Sequence, residues 1–126
     1  MAKMHETGKL NFDEKVATYW PDFAQNGKEN LTVADIMRHE GGLHRLHKLI
    51  SIEDMFPENI KQNSIGKIIE EDSCLMPEGF KRRYHALSRD WISNEIFRRV
   101  EPEGRTMGEV LKEIGLEHGI DIRCGM

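Results

Sequence analysis

Six apolar residues at helical spacing, Leu87, Trp91, Ile92, Ile96, Phe97 and Val100, run through an otherwise charged stretch and predict an amphipathic helix. Such a stripe buries against a core, so the remaining segments must supply one around it. Just before it, Tyr84 follows Lys81, Arg82 and Arg83. Nearby cations favour the phenolate, which makes Tyr84 a candidate base held in place by the helix behind it. The alternative is an ordinary surface or packing tyrosine.

A chain of 126 residues is long enough for one domain with a real core and too short to expect two. Charged residues make up 32%, hydrophobic residues 38%, and the formal net charge is -4. That balance gives no general attraction to nucleic acid or acidic membranes, so nucleic acid is not an expected partner. The basic runs at Lys81–Arg83 and Arg98–Arg99 read as solvated faces. Cys74 and Cys124 have no C-x-x-C spacing, and reduced thiols are the expectation. No apolar run approaches the roughly 20 residues that span a bilayer, and the start has no apolar signal-peptide core. A soluble, intracellular and cytoplasmic chain is expected.

Met1 to Lys9 lack a periodic apolar pattern and are expected to be a disordered terminus. Asn11 or Asp13 is expected to cap a short helix with Val16, Ala17 and Trp20 on one face and Pro21 as its stop. Asn26-Gly27 reads as a turn. Thr32 with Asp35 forms a capping-box pattern before Val33, Ile36 and Met37, and Gly41-Gly42 is the expected C-cap. From Leu43 to Ile60 the pattern weakens to a loop with short turns, one capped by Ser51 and Asp54. Ile65, Ile68 and Ile69 predict an amphipathic helix from Ser64 to about Glu71, followed by a turn at Met76-Pro77-Glu78-Gly79. Thr106 and Glu109 box the last helix, whose stripe is Met107, Val110, Leu111 and Ile114 and whose expected stop is Gly115. Ile120, Ile122 and Cys124 alternate with polar residues, as in a single half-buried strand. A lone strand lacks a partner, which points to missing sequence.

Two side-chain constellations stand out. Ser64-Ile65-Gly66-Lys67 fits the Ser-x-x-Lys pattern, in which a desolvated lysine takes the serine proton. Ser64 is equally well a helix cap with Lys67 exposed. His39, His44 and His47 could share a metal, but His39 and His44 are five apart across Gly-Gly instead of four apart on one helix. No metal or cofactor site is assigned.

Taken together, Tyr19-Trp20-Pro21-Asp22-Phe23, Asn26-Gly27-Lys28 and Leu31 to Leu43 resemble the serine β-lactamase-related family, in its class C and esterase branch. In that family a segment ending in His-x-Gly-Gly/Ala-Gly-Leu follows the nucleophile helix, and His39 to Leu43 stands in its place. Met76 to Gly79, then Tyr84-His85-Ala86-Leu87 to Trp91 and Glu95 to Val100, resemble the family's Pro-Gly turn and catalytic tyrosine helix. Arg105 to Glu109 and beyond are similar to the helix that follows.

The resemblance implies a serine hydrolase that forms an acyl-enzyme on β-lactams, esters or peptides, with Tyr84 matching the tyrosine base. The family's Tyr-x-Asn is Tyr84-His85-Ala86 here, so its amide is absent, and His85 is a candidate substitute. The family's Ser-x-x-Lys precedes the region matched by Tyr19 to Leu43, whereas Ser64 and Lys67 follow it. Its Lys/His-x-Gly strand belongs well after residue 126, and Arg123-Cys124-Gly125 comes too early.

The expected fold is therefore mainly α with one short C-terminal β segment, the helical lobe of a partial β-lactamase/transpeptidase-like fold over residues 10–126. Without its nucleophile the chain is expected to be inactive. A complete form would take a small ester, amide or β-lactam substrate with no cofactor. The alternative is a non-catalytic helical interaction domain that presents the exposed face of the lobe to a protein partner.

Overall fold

The computed structural model describes residues 1–75 and 81–122. Helix α1 (Ala2–Glu6) occupies the segment expected to be disordered. Met4 is its buried residue, and its carbonyl accepts from Lys9 N–H and Leu10 N–H, which folds the chain back so that Leu10 also enters the core. Met4 within the terminus and Leu10 just after it suffice to dock it.

Helix α2 (Val16–Tyr19) starts after Lys15, and neither Asn11 nor Asp13 caps it. Asn11 Oδ1 instead accepts from Asp13 N–H. The helix start is fixed by a neighbouring segment: Val16 N–H donates to Leu31 O and Val33 N–H to Glu14 O, with Lys15 and Thr32 forming an antiparallel bridge. Pro21 ends α2 and opens a 3-10 turn over Pro21–Phe23 that buries Phe23. Asn26 and Gly27 both have positive φ, as a tight turn requires.

Helix α3 (Val33–Met37) carries the expected capping box, with Thr32 Oγ1 accepting from Asp35 N–H and Asp35 Oδ2 from Thr32 N–H. It ends earlier than Gly41-Gly42, because His39 itself turns left-handed at φ 63°. Ser51 and Asp54 bond reciprocally around a second 3-10 turn, Glu53–Met55. Pro57, read as a break, opens α4 (Pro57–Lys61) at its first position, where its missing N–H costs nothing. Helix α5 (Ser64–Glu71) follows and buries Ile65, Ile68 and Ile69.

Helix α6 (Ser88–Val100) contacts α2, α3, α5 and α7 (Met107–His118). Ile92 and Ile96 are fully enclosed there, each contributing about 1.5–3 kcal/mol of apolar burial. Leu87 departs from the stripe: it precedes the helix and is 77% exposed. Ser93, Asn94 and Glu95 are buried instead. Glu95 Oε2 accepts from Arg98 at 2.9 Å and Arg99 at 2.5 Å, and Asn63 Oδ1 accepts from both guanidiniums. Arg99 also lies over the Trp20 ring at 4.0 Å, so the Arg98–Arg99 pair is an internal clasp and not the solvated face its charge suggested.

Thr106 and Glu109 form the second capping box, and α7 runs past Gly115 to a left-handed Gly119. Gly115 serves close packing, since a Cβ there would lie 2.7 Å from Ile120 O. Ile120 to Ile122, the described part of the expected strand, have no regular structure, and Cys124 lies outside the described residues, as does the turn at Met76–Gly79. No helix among the described residues is long and apolar enough to cross a membrane.

Candidate active site

Tyr84 sits on the irregular segment that leads into α6, and His39 to Leu43 is the segment it packs against. The latter is squeezed between α3 and residues 74–75. A Cβ at Gly41 would lie 2.6 Å from Ile36 Cδ1, and one at Gly42 would lie 2.6 Å from Cys74 Sγ. Gly42 also has φ 66°, and its carbonyl accepts from Leu75 N–H. The Gly-Gly pair is thus required by space and backbone geometry, in place of the helix-capping role its sequence suggested.

The two segments are tied together at several points. Arg83 N–H donates to His39 O at 3.0 Å, and His85 N–H donates to His39 Nδ1 at 3.0 Å. Ser88 Oγ donates to Leu43 O at 2.5 Å, and Arg82 pairs with Glu40 at 2.9 Å. Between these anchors Tyr84 is 70% exposed, with its ring 4.8 Å from that of His39 and no hydrogen bond from its hydroxyl to a described residue. Its backbone is fixed while its hydroxyl stays available.

His85 points the other way. It is 1% exposed, and both ring nitrogens serve the backbone: Leu43 N–H donates to Nε2 at 3.0 Å, and Nδ1–H donates to Arg83 O at 2.6 Å. These bonds require the neutral ring with its proton on Nδ1. Burial lowers its pKa from the ordinary histidine value, and His39, His44 and Arg89 add to that.

His39 is also held neutral. Its Nδ1 accepts from His85 N–H, which places the proton of the neutral ring on Nε2, 3.2 Å from the Arg89 guanidinium, and a second proton would break the bond to His85. Burial, then Arg89 and Arg82, lower its pKa. His44 Nδ1 is buried without a hydrogen-bond partner among the described residues, and its pKa is lowered by burial, then by Arg83 and Arg45. His47 turns away from both, with Nδ1 bonded to Asp72 Oδ1 and its N–H donating to Asp72 Oδ2. Among the described residues no group of three His, Cys, Asp or Glu side chains is arranged to hold a metal.

Ser64 and Lys67 lie elsewhere, at the start of α5. Ser64 Oγ donates to Asp54 O at 2.8 Å, and Lys67 is exposed. No hydrogen bond or ion pair joins either to the Tyr84 segment. Sequence reading missed Glu40, Ser88 and Arg89, which fix Tyr84 and His39. Their partners lie more than 40 residues away, so no local pattern reports them.

A family model described as Beta-lactamase matches residues 1–114. The esterase/beta-lactamase LipL of Mycobacterium tuberculosis is 30% identical over 111 residues, which cover 88% of this chain and 24% of LipL. A penicillin-binding protein homolog from Caulobacter crescentus superimposes with a TM-score of 0.78 at 33% identity, covering 95% of this chain and 31% of the homolog. EstA from Arthrobacter nitroguajacolicus Rue61a gives a TM-score of 0.73 at 29% identity, over 90% of this chain and 29% of EstA. The 126 residues therefore span about a quarter to a third of the length of these similar proteins.

Proposed function

The chain belongs to the beta-lactamase family, and we propose that it forms the helical part of a serine hydrolase in which Tyr84 is the general base. The reaction is acyl transfer: the Tyr84 oxygen takes the proton of a serine nucleophile as the serine oxygen attacks an ester, amide or β-lactam carbonyl, and the C–O or C–N bond of that carbonyl breaks to give the acyl-enzyme. The observation that carries this reading is the exposed, unbonded Tyr84 hydroxyl on a backbone pinned from both sides by the His39–Leu43 segment. A base must be held in position and still be free to exchange a proton, and this arrangement meets both needs.

His85 acts as a positioning residue, since its nitrogens are committed to Leu43 and Arg83. Ser64 is not the nucleophile in this reading: its hydroxyl proton is directed at Asp54 O and Lys67 faces solvent. The 126-residue chain alone is accordingly inactive, and the nucleophile comes from sequence outside it.

A fluorophosphonate serine probe and a chromogenic ester test this directly. The 126-residue chain should neither label nor turn over. A longer product carrying a Ser-x-x-Lys segment should do both, and Tyr84→Phe should lower its kcat by about 10²–10⁴-fold with little change in KM. Labelling of the short chain that disappears in Ser64→Ala would overturn the assignment of the nucleophile, and full activity in Tyr84→Phe would overturn that of the base.

A further inference from the structure

Next to the Tyr84 segment, two adjoining hollows share His44, Arg45, Leu46 and Leu49 and so form one continuous groove. One part, of about 340 Å³, is walled by Leu46, Leu49, Ile50, Met55, Leu87 and Trp91. That is the lower end of the range of small-ligand sites, about 300–1,000 Å³. Leu49 and Leu87 are 86% and 77% exposed, an open apolar face beside the proposed base. The other part adds His47, Leu75 and Arg83.

The charge on this groove has one sign. Arg45, Lys48 and Arg83 line it, and among the described residues no aspartate or glutamate does. The chain as a whole carries 22 acidic residues against 18 Lys and Arg, so the groove runs against the overall balance. Elsewhere the arginines are spent internally: Arg38, Arg82, Arg89, Arg98, Arg99 and Arg105 all pair with carboxylates. Arg45 and Arg83 pair with no described carboxylate, and both act on His44 from close by. Two guanidiniums without a described carboxylate partner, beside an apolar trough, suit a ligand with a negative end and a hydrocarbon body.

We propose that this groove binds an anionic amphiphile, a carboxylate-bearing acyl compound whose charged end meets Arg45 and Arg83 and whose hydrocarbon chain lies over Leu46, Leu49, Leu87 and Trp91. That this compound is the substrate rests on the hydrolase reading; that it binds does not. Arg83 immediately precedes Tyr84, and Ala86 and Leu87 follow two and three residues on, so the ligand lies alongside the base. The groove thereby selects esters of fatty or other long-chain acids that carry a further negative charge.

Titrating the 126-residue chain with cis-parinaric acid, a fluorescent fatty acid, and with its uncharged methyl ester tests the proposal. The acid should bind saturably at one site per chain and about tenfold more tightly than the ester, the expected gain from two solvent-exposed ion pairs. Arg45→Gln combined with Arg83→Gln should remove that tenfold difference, and Leu49→Ser should weaken both ligands severalfold. Binding is read on the 126-residue chain and hydrolysis only on a longer product, so loss of hydrolysis and loss of binding are separate results. Equal binding of acid and ester, or an unaltered preference in the double arginine variant, overturns the proposal. So does self-association in sedimentation velocity that Leu49→Ser abolishes, because the groove would then be covered by a second copy.

Discussion

Replacing His85 by Ala removes the acceptor of Leu43 N–H and the donor to Arg83 O in a site that is 1% exposed. Each buried backbone group left without a partner costs about 1–3 kcal/mol. The pair gives about 2–6 kcal/mol, and water entering the vacated space favours the lower half, about 3 kcal/mol. Against a domain stability of about 5–15 kcal/mol this is large. With a urea slope of about 2 kcal/mol per M, the midpoint at pH 7.5 should fall by about 1.5 M.

The same ring gives stability a pH dependence whose sign is fixed by the lowered folded-state pKa. The unfolded chain takes up the proton near pH 6.5 and the folded chain only at lower pH. Stability is therefore fully present above about 6.5 and declines as pH falls toward the folded value, by up to about 1.4 kcal/mol per pH unit for this group. His85→Gln keeps a donor and an acceptor without a titrating ring, so it should recover part of the loss and flatten the decline. Urea unfolding of the parent and both variants from pH 5 to 8 measures each quantity. An Ala variant within about 0.5 kcal/mol of the parent, or a Gln variant with the parent's pH slope, would refute the assignment of His85 as the pin between the two segments.

Glu95→Ala should cost about 3–5 kcal/mol in urea unfolding, because it removes the shared carboxylate of Arg98 and Arg99 and leaves Arg99 only Glu70 at 3.5 Å. Thr106→Ala should cost about 1 kcal/mol through loss of the α7 cap, read as a lowered thermal midpoint by circular dichroism. Gly8 and Gly42 form an internal comparison, with φ 72° and 66°. Gly8→Ala meets nothing within 4 Å and should cost only the left-handed backbone penalty, about 1–2 kcal/mol, whereas Gly42→Ala also meets Cys74 Sγ and should cost clearly more in the same unfolding assay.

What the sequence reveals here is what acts locally. Both capping boxes, the Asn26-Gly27 turn, the Ser51–Asp54 turn and α5 follow from residues within a few positions of one another. The start of α2 does not, because it is set by Leu31 across a fold of the chain. Nor do the buried polar positions of α6. Ser93, Asn94 and Glu95 fall outside the apolar stripe, and only the converging Arg98 and Arg99, themselves held by Asn63, make burial of that carboxylate tolerable. In the candidate site the sequence singles out Tyr84 only through its family-like surroundings, and its role as base remains a proposal. The function of His85 was not, because a histidine facing two backbone groups 42 and 2 residues away looks the same in sequence as one facing substrate.

The same division explains how an exposed tyrosine can be a well-placed one. Helix α6 is fixed toward its C-terminal end where Arg98 and Arg99 donate to Asn63 Oδ1 and Arg99 lies over Trp20, and at its first residue by Ser88 Oγ on Leu43 O. Tyr84 lies four residues before that first residue, within one further tie at His85 and one at Arg83. Its position is thus inherited from the core through Leu43, itself fully buried, and needs no contact by the phenol ring beyond His39. For the proposed base this arrangement removes the conflict between burial and proton exchange: the backbone pays the ordering entropy, and the hydroxyl remains in reach of solvent. Weakening the His85 pin should accordingly loosen Tyr84 before it unfolds the core. Hydrogen exchange of residues 83–88 should rise in His85→Gln while Ile92 and Ile96 stay protected, and equal loss of protection at both places would mean that the segment and the helix open as one unit.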